Sequence, residues 1–150
     1  MDGGVTFRVL AQSDALWERV AAYAERCSWG AGASLAREMR EGALSDWETV
    51  IAALDGDEIC GFCNVSQKDC MPELCYTPYV GYVFVDEAYR GHRLSQRMID
   101  AAADYLKSVG FSKIYLTSDH VNLYEKYGFR AIDRRRAFWG GLETIYRKEI

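Results

Sequence analysis

An apolar run, a short turn and a long periodic segment follow one another across the middle of this chain. Val80-Gly81-Tyr82-Val83-Phe84-Val85 reads as part of a strand, Tyr79 to Val85, that is apolar on both faces and therefore central in its sheet. From Leu94 to Val109 apolar residues recur at helical spacing, with Leu94, Met98, Ala101, Ala102, Tyr105, Leu106 and Val109 as the expected core stripe. Between the two lies Tyr89-Arg90-Gly91-His92-Arg93-Leu94-Ser95. A strand, a glycine-containing turn and a helix gather backbone N–H groups at one point, and the helix start adds partial positive charge. Phosphate or pyrophosphate suits such a point. A Walker loop is excluded because no Gly-Lys-Ser/Thr triplet occurs, and the single glycine does not make a dinucleotide fingerprint. The plain alternative is a tight connection with no ligand.

The segment from the strand through Asp86-Glu87-Ala88-Tyr89-Arg90-Gly91 into the helix resembles motif A of the GNAT N-acetyltransferase superfamily. The family's loop reads Arg/Gln-x-x-Gly-x-Gly/Ala. Arg90 matches its first position, Arg93 replaces the middle glycine, and Ser95 replaces the last small residue. Leu123-Tyr124-Glu125-Lys126-Tyr127-Gly128-Phe129 is similar to the Tyr-x-x-x-Gly-Phe of motif B, one strand later in the chain. The family often carries an asparagine one to two turns before that tyrosine; here Thr117 holds that register.

The resemblance implies acetyl-CoA as cosubstrate and a primary amine as acceptor. It implies that Arg90, Gly91, His92, Arg93, Leu94 and Ser95 bind the pyrophosphate, and that the edge of Val83, Phe84 and Val85 pairs with the pantetheine arm. The strand of Lys113 to Leu116 would splay from that edge. Tyr124 takes the position of the general acid, and Tyr127 that of an apolar packer. Glu73 is the expected base, with Asp69, Asp86 and His120 as alternatives. Trp29 is the expected substrate-binding residue, with Trp47, Met39 and the loop from Ser66 to Tyr79 as further wall. A non-catalytic acyl-CoA-binding sensor on the same fold is the alternative reading. Dimers are common in the family, so a homodimer is compatible with the resemblance.

Composition bounds the rest. The 150 residues make one domain, 1–150, and 49% apolar content is enough for a core. A net charge of −4 argues against a general nucleic-acid binder. No apolar run is long enough to span a bilayer, and Met1 to Arg8 lacks the pattern of a signal peptide, so a cytoplasmic protein acting on a small-molecule amine is expected. Five cysteines then read as reduced thiols. Cys60 and Cys63, with Cys70 and Cys75, carry a zinc alternative. Against it, Glu58 to Val65 reads as a strand, and residues three apart on a strand face opposite ways. No metal site is expected.

Elsewhere, Val5 to Leu10 reads as a strand, and Ser13 or Asp14 caps a helix to about Cys27. A short helix from Ser34 to Arg40 follows. Thr49 to Leu54 and Glu58 to Val65 pair through the turn Asp55-Gly56-Asp57. A short helix holds Val121 to Tyr127, and the last strands are Phe129 to Ile132 and Thr144 to Lys148. Arg130, Arg134, Arg135 and Arg136 read as a solvated strand edge or as a contact for the 3′-phosphate of CoA. The order predicts a single mixed α/β domain, its twisted sheet mostly antiparallel and flanked by helices.

Overall fold

The computed structural model of the chain describes residues 4–68, 76–120 and 122–150. Strands β1 (Val5–Val9), β2 (Thr49–Asp55), β3 (Glu58–Ser66), β4 (Tyr79–Val85), β5 (Lys113–Ser118), β6 (Arg130–Arg136) and β7 (Leu142–Glu149) form a seven-stranded sheet in the order β1-β2-β3-β4-β5-β7-β6. Only β4 and β5 run parallel; every other neighbouring pair is antiparallel. Helices α1 (Ala15–Arg26) and α2 (Ala31–Glu41) cover one face, and α3 (Leu94–Val109) covers the other. This is the expected mixed α/β domain, with β4 in the middle of the sheet.

Burial explains the layering. Alternate residues of β2 feed the two cores: Ile51 and Ala53 join α3, while Val50, Ala52 and Leu54 join α1 and α2. On α3 the buried stripe is Leu94, Met98, Ile99, Ala102, Ala103 and Leu106. The stripe is rotated from the expected one, and Val109 is left 41% exposed at the helix end. Asp14 caps α1 by accepting from the Leu16 amide, and Trp17 Nε1 donates to the Met39 carbonyl, tying α1 to the end of α2. α2 begins three residues earlier than the expected Ser34, directly after Gly30. The tyrosine segment near residue 124 is a 3-10 turn, Tyr124–Tyr127, rather than the expected longer helix. β6 runs on to Arg136, beyond the expected Ile132.

Bulges overturn the expectation that Cys60 and Cys63 face apart. The β2–β3 register passes from Ala53↔Gly61 to Leu54↔Ile59, which leaves Cys60 as an extra residue. The alternation therefore slips, and both cysteines pack in the core beneath α3, each 0% exposed. Burial pushes their thiols up, to about 11 for Cys60 and about 12 for Cys63, so both are protonated at neutral pH. Cys70 and Cys75 lie outside the described residues.

Gly61 is where β3 and β4 press closest. A Cβ there would lie 2.6 Å from the Phe84 carbonyl oxygen, a backbone atom that cannot swing aside. Gly61→Ala is expected to destabilise the fold by about 1–3 kcal/mol through overpacking, read from a urea melt against the parent chain.

Candidate active site

β4 and β5 part company almost at once. Their parallel pairing is confined to Tyr79↔Tyr115, with the Tyr115 amide donating to the Pro78 carbonyl. Beyond it the edge of β4 from Val80 to Val85 faces a cleft of about 1760 Å³, with Leu116, Thr117 and Ser118 of β5 on the far side. This parting is why the middle of β4 is only half-buried although the strand is central. An open strand edge can pair with an extended, amide-bearing ligand. The expected splay of Val83, Phe84 and Val85 from β5 is present.

β4 is also bulged. Its register with β3 passes from Phe84↔Phe62 to Gly81↔Asn64, so Tyr82 and Val83 oppose Cys63 alone. Tyr82 has φ of +48°, a strained conformation for an aromatic residue. Its hydroxyl donates to Glu38 Oε2 of α2 at 2.7 Å, and its ring meets Trp29 at 6.1 Å between centroids. Trp29 also stacks on Phe84 with an interplanar angle of 4°. Neither Glu38 nor the bulge was legible as a site feature, because the alternation of β4 carries no break that marks it.

The turn after β4 is built as a cradle. Asp86 accepts from the Ala88 amide and opens a 3-10 turn, Glu87–Tyr89. The Tyr23 hydroxyl donates to the other Asp86 oxygen at 2.9 Å, and Tyr89 donates to Asp55 at 2.7 Å. Asp86 therefore orients the turn. Gly91 has φ of +89° with open space around its Cα, and Arg93 has φ of +59°. No side chain caps α3. Leu94 and Ser95 at that helix start line the cleft, and a helix start leaves its first amides without intrahelical partners, which fits an incoming phosphate. Arg90 folds back, donating Nε–H to the Val85 carbonyl at 2.9 Å with its guanidinium over the Phe84 ring. His92 is exposed, while Leu94 is buried beneath the turn.

Across the cleft stands Tyr124. Its ring packs among Tyr127, Phe129 and Tyr146, with His120 at 6.4 Å. Burial, reinforced by Tyr127, pushes its hydroxyl up to about 12 against the opposing effect of a hydrogen bond with Ser118. It is a protonated donor at neutral pH. Tyr127, expected to be an apolar packer, shares a hydrogen bond of 2.8 Å with Ser95 at the start of α3. Trp29, Arg90, Gly91, Arg93, Leu94, Ser95 and Tyr124 thus border one cleft. Trp47 and Met39 do not line it: Trp47 packs on Phe111, and Met39 is buried between the helices. Glu73 and Asp69 lie outside the described residues. Two exposed aromatics at the β6–β7 turn, Phe138 and Trp139, also reach the rim. The arginines of β6 lie exposed on the edge strand of the sheet.

The left-handed backbone at Arg93 explains why a glycine is at home there. For a side-chain-bearing residue that conformation costs roughly 1–2 kcal/mol, against about 0.5–1 kcal/mol of extra chain entropy for glycine. Arg93→Gly is expected to raise stability slightly, by about 0.5–1 kcal/mol, in a denaturant titration. A loss of stability would mean that the Arg93 side chain holds the turn.

The family model of the Acetyltransferase (GNAT) family matches residues 15–129. Among solved structures, the chain is similar to aminoglycoside 6'-acetyltransferase type Ii, at 19% identity over 96% of each chain with a TM-score of 0.74. It is similar to an aminoglycoside 6'-N-acetyltransferase complexed with coenzyme A, at 16% identity over 96% of each chain and a TM-score of 0.73. A GNAT family acetyltransferase from Elizabethkingia anophelis with acetyl-CoA bound aligns at 14% identity, over 98% of this chain and 99% of its own, with a TM-score of 0.68. No curated protein matches. The family match spans both motifs, the strand between them and both helices that cover the opposite face, and the chain belongs to the GNAT acetyltransferase family.

Proposed function

We propose that the protein is an N-acetyltransferase that moves an acetyl group from acetyl-CoA to a primary amine of a small molecule. The observation that carries this reading is the parted edge of β4, bounded by the uncapped start of α3 at one end and Tyr124 on the opposite wall. In it, the amides from Gly91 to Ser95 hold the pyrophosphate, and Val83 to Val85 bind the pantetheine arm as an added strand. The bulge sets Tyr82 and Val83 against Cys63 alone on the edge that lines the cleft, where the thioester would lie. The aminoglycoside acetyltransferases among the similar structures support a small-molecule acceptor.

The proton balance follows from the chemistry. An alkylammonium has a pKa near 10.4 and must lose a proton before its nitrogen can attack. The new C–N bond forms, the C–S bond breaks, and the departing thiolate takes the Tyr124 proton, which the acylated nitrogen then replaces. One proton leaves to solvent per turnover. Glu73 is the proposed base, on sequence grounds alone; His120 borders the same cleft beside Tyr124, whereas Asp86 is engaged by Tyr23 and the turn.

Calorimetry with acetyl-CoA, desulfo-CoA and ATP tests the cosubstrate. Micromolar binding that depends on the pantetheine arm is expected, and no binding would overturn the reading. Tyr124→Phe is expected to keep that affinity and to lower kcat on an amine substrate by about 10²–10⁴-fold. Because the hydroxyl is held near 12, the parent enzyme should keep its acid form through pH 9, with the loss on the alkaline side beginning only well above it. Unchanged turnover in Tyr124→Phe would remove the acid assignment, and coenzyme A binding without turnover on any amine would favour a sensor.

A further inference from the structure

Asn64 sits on β3 opposite Gly81, beside the β4 bulge. It is only 3% exposed, and its Oδ1 has no hydrogen-bond partner among the described residues. A buried acceptor left unmet costs free energy, so its retention needs a reason. The atom belongs to a residue that lines the cleft. By the alternation of β3, Asn64 shares the α1–α2 face with Phe62. Tyr82, Trp29 and Glu38 stand on that same side: Tyr82 packs against the α1–α2 core, donates to Glu38 and meets the Trp29 ring.

These groups share one preference. An unsatisfied carbonyl oxygen and a carboxylate both call for an N–H donor, and the carboxylate calls for a positive one. Trp29 is 38% exposed with its ring stacked on Phe84, and indole is the best aromatic surface for a cation. Arg37 and Lys68 also line the cleft, but no ion pair joins either to Glu38 among the described residues. We propose that Asn64, Glu38, Tyr82 and Trp29 form a site for an alkylammonium group, so that the acceptor is recognised as a cation and not as a neutral arylamine or an alcohol. The inference rests on the acetyltransferase reading, since it concerns the acceptor end of the same cleft. Glu38 supplies the charge, Asn64 a second acceptor, and the indole the apolar wall.

The test is a chemical-shift titration of the ¹⁵N-labelled protein with n-hexylammonium chloride and, at matched ionic strength, with hexan-1-ol. The Trp29 indole N–H signal, assigned from Trp29→Phe, is the reporter. Saturable shifts with the ammonium ion and none with the alcohol are expected. Glu38→Gln keeps an oxygen for the Tyr82 hydroxyl but removes the charge. It should weaken ammonium binding at least tenfold while the ¹⁵N–¹H spectrum stays that of the folded chain. Asn64→Leu should weaken ammonium binding while holding or raising the melting temperature, because it deletes an unmet buried acceptor. A structural role would do the reverse, lowering the melting temperature with ammonium binding intact. Equal response to the alcohol, or an unaffected Glu38→Gln, overturns the proposal. The titration is run with and without coenzyme A. A chain that fails to bind coenzyme A sinks the transferase reading, and the ammonium titration still decides this one.

Discussion

The parting of β4 from β5 is the constraint on which the rest of the site depends. A parallel pair normally continues for the length of its strands, buried under helices on both faces. Here it ends after Tyr79↔Tyr115, and β5 turns its pairing to β7 along its whole length. The edge so opened lies in the centre of the sheet, not at its rim. It is walled by packed elements on both sides and does not invite a second chain as a rim strand would. The fold therefore spends sheet hydrogen bonds in its most central strand, which is tolerable only where something else supplies the missing partners.

The bulge at Tyr82 and Val83 makes this edge two-sided. Its backbone faces the gap toward β5, while the Tyr82 side chain reaches the other way, to Glu38 and Trp29. A left-handed aromatic residue is stable only when its surroundings over-determine it. A hydroxyl bond at one end and an aromatic wall along the ring do so. Helix α2 thereby holds the shape of the strand that would bind the thioester. The α1–α2 layer contributes more than a cover for the sheet.

Much of this architecture was legible in the chain. β4, α3 and the capping of α1 by Asp14 appear in the sequence as an apolar run, a helical stripe and a cap residue, and all are present. These are local signals, and local physics produced them. What was illegible depends on register. Cys60 and Cys63 share a face because β3 gains a residue against β2, and no residue of Glu58 to Val65 announces it. The resemblance implies Trp47 and Met39 as further wall of the cleft, yet packing partners claim them. Glu38 and Asn64 carry no site signal in the sequence, because a helix glutamate and a strand asparagine look ordinary until tertiary contacts put both beside the bulge. The resemblance gives Tyr127 the position of an apolar packer; its hydroxyl acquires meaning only when α3 brings Ser95 to it.

That Ser95–Tyr127 bond carries the last step. Ser95 belongs to the first turn of α3, where a phosphate would sit, and Tyr127 belongs to the same short turn as Tyr124. Two rings in edge contact at 5.7 Å complete the chain from cradle to acid. A small residue in the last position of the loop admits a ligand by its size, but an alanine or glycine there has nothing to offer Tyr127. The serine here does both. It stays small enough for the backbone to be approached, and it fixes the turn that carries the acid to the helix that carries the anion site. The departure from the family's loop at Ser95 thus has a structural reason on the far wall of the cleft, whereas the departure at Arg93 costs backbone strain with no protein partner that offsets it among the described hydrogen bonds and ion pairs.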